Sequence, residues 1–294
     1  MIYQIRSLET GDIPAMHNGF LKGFSDYKVP FKLNREAFVK KFVEKLHLDF
    51  SLSVGVFHQN ELVGFIFHTI NTYQGRKTIY NGGTGVSPEH RGNRLVKEMY
   101  KHIYPAILES GVDCSVLEVL TDNEKAIKAY LSVGFEKGAL LRCFKLNELD
   151  TAHANETVVI RPQRKFQPGK YNYMEQALPS FQDVNEHIIH DRANETLLEA
   201  KIDEKVVGYI IFHSASGRIS QLAVDRSYQN QGIGSRLLRE AHWLLKGQPM
   251  TVINLRAEEL ETAEFLINRG FVNEVDQYEM VMEAETIKGI VGSQ

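Results

Sequence analysis

This chain contains one segment written twice, and that constrains its fold more than any other feature. E-L-V-G-F-I-F-H at 61–68 matches K-V-V-G-Y-I-I-F at 205–212. Each follows a short polar turn, H-Q-N at 58–60 and I-D-E at 202–204. Each turn is preceded by a strand-like run, S-L-S-V-G-V-F (51–57) and T-L-L-E-A-K (196–201), so both regions read as β-hairpins. Downstream, G-T-G-V-S-P-E-H-R-G-N-R-L-V-K-E-M-Y (83–100) runs beside Q-L-A-V-D-R-S-Y-Q-N-Q-G-I-G-S-R-L-L (221–238). Val86 aligns there with Val224 and Arg91 with Gln229. A strand follows in each half, V-L-E-V-L (116–120) and V-I-N-L-R (252–256). Next comes a helix ending in V-G-F (133–135) or R-G-F (269–271). The glycine there suits a helix C-cap, and the phenylalanine suits the first buried residue of the next strand.

The chain is therefore expected to hold two copies of one α/β unit. The joint falls in N-E-L-D-T-A-H-A-N-E-T (147–157), which lacks hydrophobic periodicity, and the expected domains are 1–150 and 157–294. The copies differ most near their beginnings. In R-E-A-F-V-K-K-F-V-E-K-L (35–46) a helix would carry Phe38, Phe42, Val43 and Leu46 on one stripe. The second copy shortens that region to about 172–189.

Composition excludes several classes. No apolar run approaches the ~20 residues that span a bilayer, so no membrane partner is expected. The N-terminal M-I-Y-Q-I-R-S-L-E-T has no basic stretch leading into an apolar core, so no signal peptide is expected. Cys114 and Cys143 are the two cysteines; they lack metal spacing and fit buried thiols in a reducing, cytoplasmic setting. Residues 1–150 carry 19 Lys and Arg against 17 Asp and Glu, and residues 151–294 carry 15 against 20. Neither balance gives the concentrated basic face of a nucleic-acid binder.

The chemistry concentrates in the glycine turns. In the second half, Ile219–Val224 leads into D-R-S-Y-Q-N-Q-G-I-G-S-R-L-L-R-E-A (225–241). The first turn of a helix has N–H groups without intrahelical partners and carries partial positive charge. Glycines let that backbone approach an anion closely, so the amides from Gln231 to Gly234 suit a phosphate or diphosphate. Ile233, Leu237, Leu238, Ala241 and Leu245 would hold the helix on the sheet. No G-K-[ST] follows, which excludes a P-loop. Leu237 stands where a dinucleotide fingerprint needs a small residue.

Gln229-Asn230-Gln231-Gly232-Ile233-Gly234 resembles the Q/R-x-x-G-x-G/A pattern of the GNAT superfamily of N-acetyltransferases. In the first half, Asn123-Glu124-Lys125-Ala126-Ile127-Lys128-Ala129-Tyr130 with Gly134-Phe135 resembles that family's second conserved block. The V-G-F/Y-I hairpins match its second and third strands. The resemblance covers nearly the whole chain as a tandem pair. It implies an α/β (α+β) fold in which each domain is a mixed, mostly antiparallel twisted sheet with a splayed central strand and flanking helices. It implies acetyl-CoA as acyl donor, an amine acceptor and no metal.

Carried over residue by residue, the resemblance assigns coenzyme binding to Val86, Arg91, Gly92, Asn93, Arg94, Leu95, Val96 and Asn123 in the first half. In the second it assigns Leu222, Val224, Gln229, Asn230, Gln231, Gly232, Ile233, Gly234 and Ser235. The copies depart from the pattern in complementary ways. Arg94 and Val96 stand where small residues are expected in the first loop. In the second half Leu266 and Glu259 occupy the Tyr and Asn positions.

Acetyl transfer to an amine needs a neutral amine, a polarised thioester carbonyl and a proton for the departing thiolate. Backbone N–H groups of the central strand, near Gly85–Ser87 or Leu222–Val224, can polarise the carbonyl. Asn81-Gly82-Gly83-Thr84-Gly85 reads as a bulge in that strand. Tyr130 is the expected general acid, and Glu118, opposite Leu117 and Val119 on a regular strand, is the expected base acting through water. His68 is a further candidate, with an ordinary structural role favoured. His187 and His190 lie three apart without a third ligand, so they are not expected to bind metal. Trp243 is expected in the core. These choices make the first half the catalytic one. The reverse assignment, and a non-catalytic acyl-CoA-binding or assembly module, stand as alternatives. Two fused copies can pack as a pseudo-dimer in a monomer, or form a homodimer.

Overall fold

The computed structural model describes residues 2–26, 33–150, 152–174 and 177–293. The first half runs β1 (Gln4–Ser7), α1 (Ile13–Gly23), α2 (Arg35–Phe38), β2 (Val54–His58), β3 (Glu61–Tyr73), β4 (Arg76–Val86), α3 (Leu95–Glu109), β5 (Cys114–Leu120), α4 (Glu124–Leu131) and β6 (Glu136–Leu146). The second runs β7 (Val159–Gln163), α5 (Asn185–His190), β8 (Glu195–Ile202), β9 (Lys205–His213), β10 (Ile219–Val224), α6 (Ile233–Leu244), β11 (Thr251–Arg256), α7 (Leu260–Asn268), β12 (Phe271–Glu283) and α8 (Ala284–Gly292).

Packing divides the chain into two compact units, but not at the joint of the repeat. One unit is Met1–Gly138 with Tyr278–Gln294, and the other is Ala139–Gln277. Each unit thus takes its last strand from the other sequence half. The first unit's sheet has the order β1-β2-β3-β4-β5-β12, closed by the Tyr278–Glu283 end of β12. The second unit has a β10-β9-β8-β7 sheet and a β11-β6-β12 set that uses the Ala139–Leu146 end of β6. Hydrogen bonding, rather than the sequence repeat, therefore decides which strands fold together. The 147–157 segment lies inside the second unit rather than between units, and its residue 151 is outside the described residues.

In the first unit, Met99, Tyr100, Ile103, Tyr104 and Ile107 form the buried stripe of α3. They pack with Leu117, Val119, Phe135 and Met282 on one sheet face. The other face packs Phe20, Phe38, Phe42, Phe65 and Phe67 under α1 and α2. The expected stripe of 35–46 forms with a change of winding. After α2 the chain widens to a π-type turn over Val39–Lys45, where Leu46 N–H reaches Lys41 O. Phe38, Phe42 and Leu46 stay buried, but Val43 is only half-buried and Lys45 takes a buried place.

In the second unit, 172–189 forms short turns and α5; its residues 175 and 176 lie outside the described residues. Trp243 corrects the expectation of a core residue, being 71% exposed. The buried stripe of α6 runs through Leu237, Leu238 and Ala241. Trp243 follows Ala241 by two residues, about 200° around the helix, and so faces solvent. Both cysteines are buried, and neither forms a disulfide.

Candidate active site

The central strands of the first unit part company at one point. β4 and β5 pair in parallel through Thr78–Tyr80 and Cys114–Val116. Beyond that, β4 continues to Val86 and β5 to Leu120 without pairing to each other, which is a splay. β4 also carries a bulge. Phe67 faces Gly83 and His68 faces Asn81, leaving Gly82 as the extra residue. The second unit repeats this at the aligned position. Phe212 faces Ile219 and Ile211 faces Gln221, leaving Ser220 over. Among its described residues, an isolated parallel bridge joins Arg218, just before β10, to Thr251 of β11.

Hydrogen-bond phase decides which amides line each splay. Ser87 N–H donates to Val63 O at 2.8 Å, and Asp225 N–H to Val207 O at 2.9 Å. Because alternate residues of an antiparallel strand face opposite edges, the N–H groups of Thr84 and Val86 turn to the splay in one unit. Those of Leu222 and Val224 do so in the other.

The two glycine loops share one backbone. In the first, Gly92 (φ +80°) and Arg94 (φ +57°) are left-handed; in the second, Asn230 (φ +58°) and Gly232 (φ +77°) are. Each loop thus has two left-handed residues and one glycine, placed at opposite ends. Arg94, which departs from the sequence pattern, caps α3 in the conformation that Gly232 adopts at α6. A non-glycine residue there costs about 1 kcal/mol. The first intrahelical bonds are Glu98 N–H to Arg94 O and Arg236 N–H to Gly232 O. The amides of Leu95, Val96 and Lys97, and of Ile233, Gly234 and Ser235, therefore lack intrahelical acceptors.

The loops differ in what covers them. Arg91, Gly92, Asn93 and Arg94 are all exposed. Arg91 anchors its loop by four contacts. Nε donates to Val86 O (3.0 Å), Nη2 to Gly23 O (3.0 Å), and Nη1 and Nη2 to the carboxylate of Asp26 (2.6 and 2.9 Å). Asp26 is held below the usual carboxylate range by this guanidinium. No local pattern marks Asp26, whose partner lies 65 residues away. Among the described residues, Gln229 keeps only the strand anchor, donating to Val224 O at 3.2 Å.

In the second loop Gln229, Asn230 and Gln231 are exposed as well, but Gly232 lies beneath a strap. A Cβ on Gly232 would sit 2.1 Å from His153 O. Asn155 N–H donates to Gly232 O (3.1 Å), and Asn155 Nδ2 donates to Gln231 O (2.8 Å). Glu156 then pairs with both guanidinium nitrogens of Arg239 on α6. Gly234 in turn packs on Phe265, whose ring would lie 2.9 Å from an added Cβ. Both glycines are thus required by packing within the second unit.

Tyr130, on α4, is 8% exposed and stacks edge-on with Phe135 at 5.8 Å. Asn123 caps α4 by accepting from Ala126 N–H at 3.2 Å. Glu118 is half-buried and accepts the Tyr80 hydroxyl at 2.5 Å. Leu117 and Val119 join the α3 and α4 cluster, so Glu118 faces the sheet side that packs under α1 and α2. His68 is buried. Its Nδ1 donates to Leu52 O at 2.7 Å, its Nε2 lacks a partner among the described residues, and burial pushes its pKa down to about 4. It is a neutral core histidine. His187 is buried likewise, with Nδ1 donating to Phe181 O at 2.8 Å. In the second unit Leu266 is buried core, and Glu259 accepts weakly from Leu178 N–H at 3.5 Å. The sheet face that carries Phe65 in the first unit carries Tyr209 in the second, beside fully buried Glu199. Its Oε1 accepts the Tyr171 hydroxyl at 2.7 Å and pairs with Lys170.

Comparison with known proteins agrees with this architecture. Residues 16–135 match the model of the acetyltransferase (GNAT) family, and residues 193–273 match an acetyltransferase (GNAT) domain. The chain belongs to the GNAT family, as a tandem of two such domains. Solved structures share the fold over nearly the full length. A GCN5-related N-acetyltransferase from Sphaerobacter thermophilus superposes with a TM-score of 0.71 at 16% identity, covering 96% of each chain. A tandem GNAT protein from the clavulanic acid biosynthesis pathway gives 0.70 at 12% identity, over 96% of this chain and 99% of that one. A putative acetyltransferase from Pyrococcus horikoshii gives 0.69 at 17% identity, over 96% and 89%. A search of the curated proteins found no match. Among the described residues, no helix of this GNAT tandem is long and apolar enough to cross a membrane.

Proposed function

We propose that the first GNAT unit moves the acetyl group of acetyl-CoA to a primary amine of a small molecule or peptide, by direct attack in a ternary complex. In this reading the second unit takes no coenzyme while its strap is seated. The observation that carries it is the contrast at the two helix N-termini. Arg91–Arg94 lies exposed before the α3 amides, whereas Gly232 lies under His153.

The residues of the first unit fit the donor. An exposed turn with unpartnered helix amides and no Cβ at Gly92 suits a diphosphate. An unpaired strand edge offering Thr84 and Val86 N–H suits an extended amide-bearing arm and a carbonyl oxygen. Acetyl-CoA supplies an activated acetyl thioester. The edge amides orient and polarise its carbonyl. Tyr130 holds the proton that the coenzyme sulfur takes as the C–S bond breaks. Glu118 accepts, through water, the proton that the amine nitrogen gives up as the N–C bond forms.

Titration with acetyl-CoA followed by thiol-release assays against an amine library tests the reading. One equivalent bound per chain, with thiol release, supports it. Binding without thiol release against any amine favours a non-catalytic sensor, and no binding removes both. Within the enzyme reading, Tyr130→Phe lowers turnover by about a hundredfold with acetyl-CoA affinity unchanged. Unchanged turnover removes Tyr130 from the mechanism.

A further inference from the structure

The bulge in β4 is braced by the side chain before its extra residue, and the bulge in β10 is held differently. Asn81 Oδ1 accepts from Gly83 N–H at 3.1 Å, across the extra residue Gly82. Asn81 Nδ2 donates to Thr84 Oγ1 at 2.7 Å and to the Tyr100 hydroxyl at 2.8 Å. Both amide hydrogens and the carbonyl oxygen are therefore engaged, and Asn81 is 5% exposed and Tyr100 fully buried. At the aligned position the second unit has Ile219, which can make none of these bonds. There the extra residue Ser220 turns its hydroxyl to Glu195 instead.

The three partners of Asn81 lie where the proposed chemistry needs them fixed. Thr84 follows the bulge and presents one of the amides that face the splay. Gly83 resumes the pairing after the extra residue Gly82. Tyr100 belongs to α3, the helix whose first turn carries the exposed loop. The Asn81 side chain thus ties the strand edge to the helix beside it. It fixes the distance between the amides that would grip a diphosphate and those that would meet a thioester carbonyl. A loose bulge leaves both groups of donors in place but lets the spacing between them vary, and binding then loses preorganisation.

We infer that Asn81, through Tyr100 and Thr84, is a positioning residue that sets the register of the coenzyme between α3 and the edge of β4. The inference rests on the acetyl-CoA reading above and adds a residue that motif comparison does not reach. It makes a specific demand. Loss of the brace should weaken ligands that span both groups of donors and spare a ligand that reaches only the loop.

Calorimetric titration of the full chain with acetyl-CoA and, separately, with ADP, which has the diphosphate but no pantetheine arm, separates the two. Asn81→Ala is expected to weaken acetyl-CoA by about tenfold, from the loss of all three side-chain hydrogen bonds, and to leave ADP within about twofold. Tyr100→Phe keeps the ring and removes one bond, so about a threefold loss for acetyl-CoA alone is expected. Should Asn81→Ala not fold, Tyr100→Phe carries the same comparison. Hydrogen exchange at Gly83, whose N–H is bonded to Asn81 Oδ1, should also be faster in either variant than in the wild type. Equal losses for both ligands, or no loss for acetyl-CoA, overturn the inference while leaving the acetyl-CoA reading intact. Failure of the wild-type chain to bind either ligand overturns that reading, and the inference with it.

Discussion

Arg91–Arg94 and Gln229–Gly232 bend through the same two left-handed positions, with the glycine first in one loop and last in the other. By motif alone the second loop is the better coenzyme site. By structure it is covered at its helix end, because the glycine that completes its pattern makes room for His153 O and accepts a bond from Asn155. The first loop breaks the pattern at Arg94 and remains open. A glycine in a phosphate-loop pattern therefore reports a close approach of something, and the chain itself can be what approaches.

The largest expected effect tests the sheets beneath the loops. His68 in the first unit aligns with Phe212 in the second. Its pKa falls to about 4 when folded, against an ordinary value of 6.5. The unfolded chain then binds more protons between those values, so stability is present above pH 6.5 and is lost as pH falls toward 4. The loss should be on the order of 3 kcal/mol and confined to the first unit. Hydrogen exchange resolved by unit, compared between wild type and His68→Phe, reads it; equal acid sensitivity in both proteins removes His68 as the cause.

A carboxylate in each loop probes the coenzyme directly. Asn93→Glu should weaken acetyl-CoA roughly thirtyfold, about 2 kcal/mol, by repelling the diphosphate. Gln231→Glu should change it by less than about twofold, since that loop is strapped. Reversed sensitivities, measured by titration calorimetry, would place the coenzyme in the second unit.

A methyl group on each glycine comes next. Gly232→Ala forces His153 away and should cost about 2 kcal/mol, whereas Gly92→Ala meets nothing within 4 Å and should cost only the left-handed strain, about 1 kcal/mol. Equal costs in chemical denaturation would mean that the strap contributes nothing. The smallest effect is at Arg94. Arg94→Gly relieves strain and loosens the unfolded chain, and the net change should stay within about 1 kcal/mol.

Much of this molecule was legible in advance because it depends on local rules. The hairpins, the two helix-opening turns, the bulge near Asn81–Gly85 and the orientation of Glu118 follow from alternation, turn chemistry and the repeat. Trp243 was misread because an aromatic residue was weighed by type rather than by its angle from the Leu237–Leu238–Ala241 stripe. The π-type winding that leaves Val43 half-buried and buries Lys45 has no signature in a stripe counted at 3.6 residues per turn. Asp26 and Asn155 carried no local signal at all, since each acts on a loop more than 60 residues away.

The amino-acid order by itself settled that there are two related units, where each opens a helix with a glycine turn, and which half keeps Asn123 and Tyr130. Those features are short-range, fixed by periodicity and backbone conformation within a few residues. Folding in three dimensions decided which strands each unit keeps and which turn is left bare. Strand exchange at Gly138 and Gln277 and the seating of 153–156 on α6 depend on contacts between residues far apart in the chain, which no local pattern encodes.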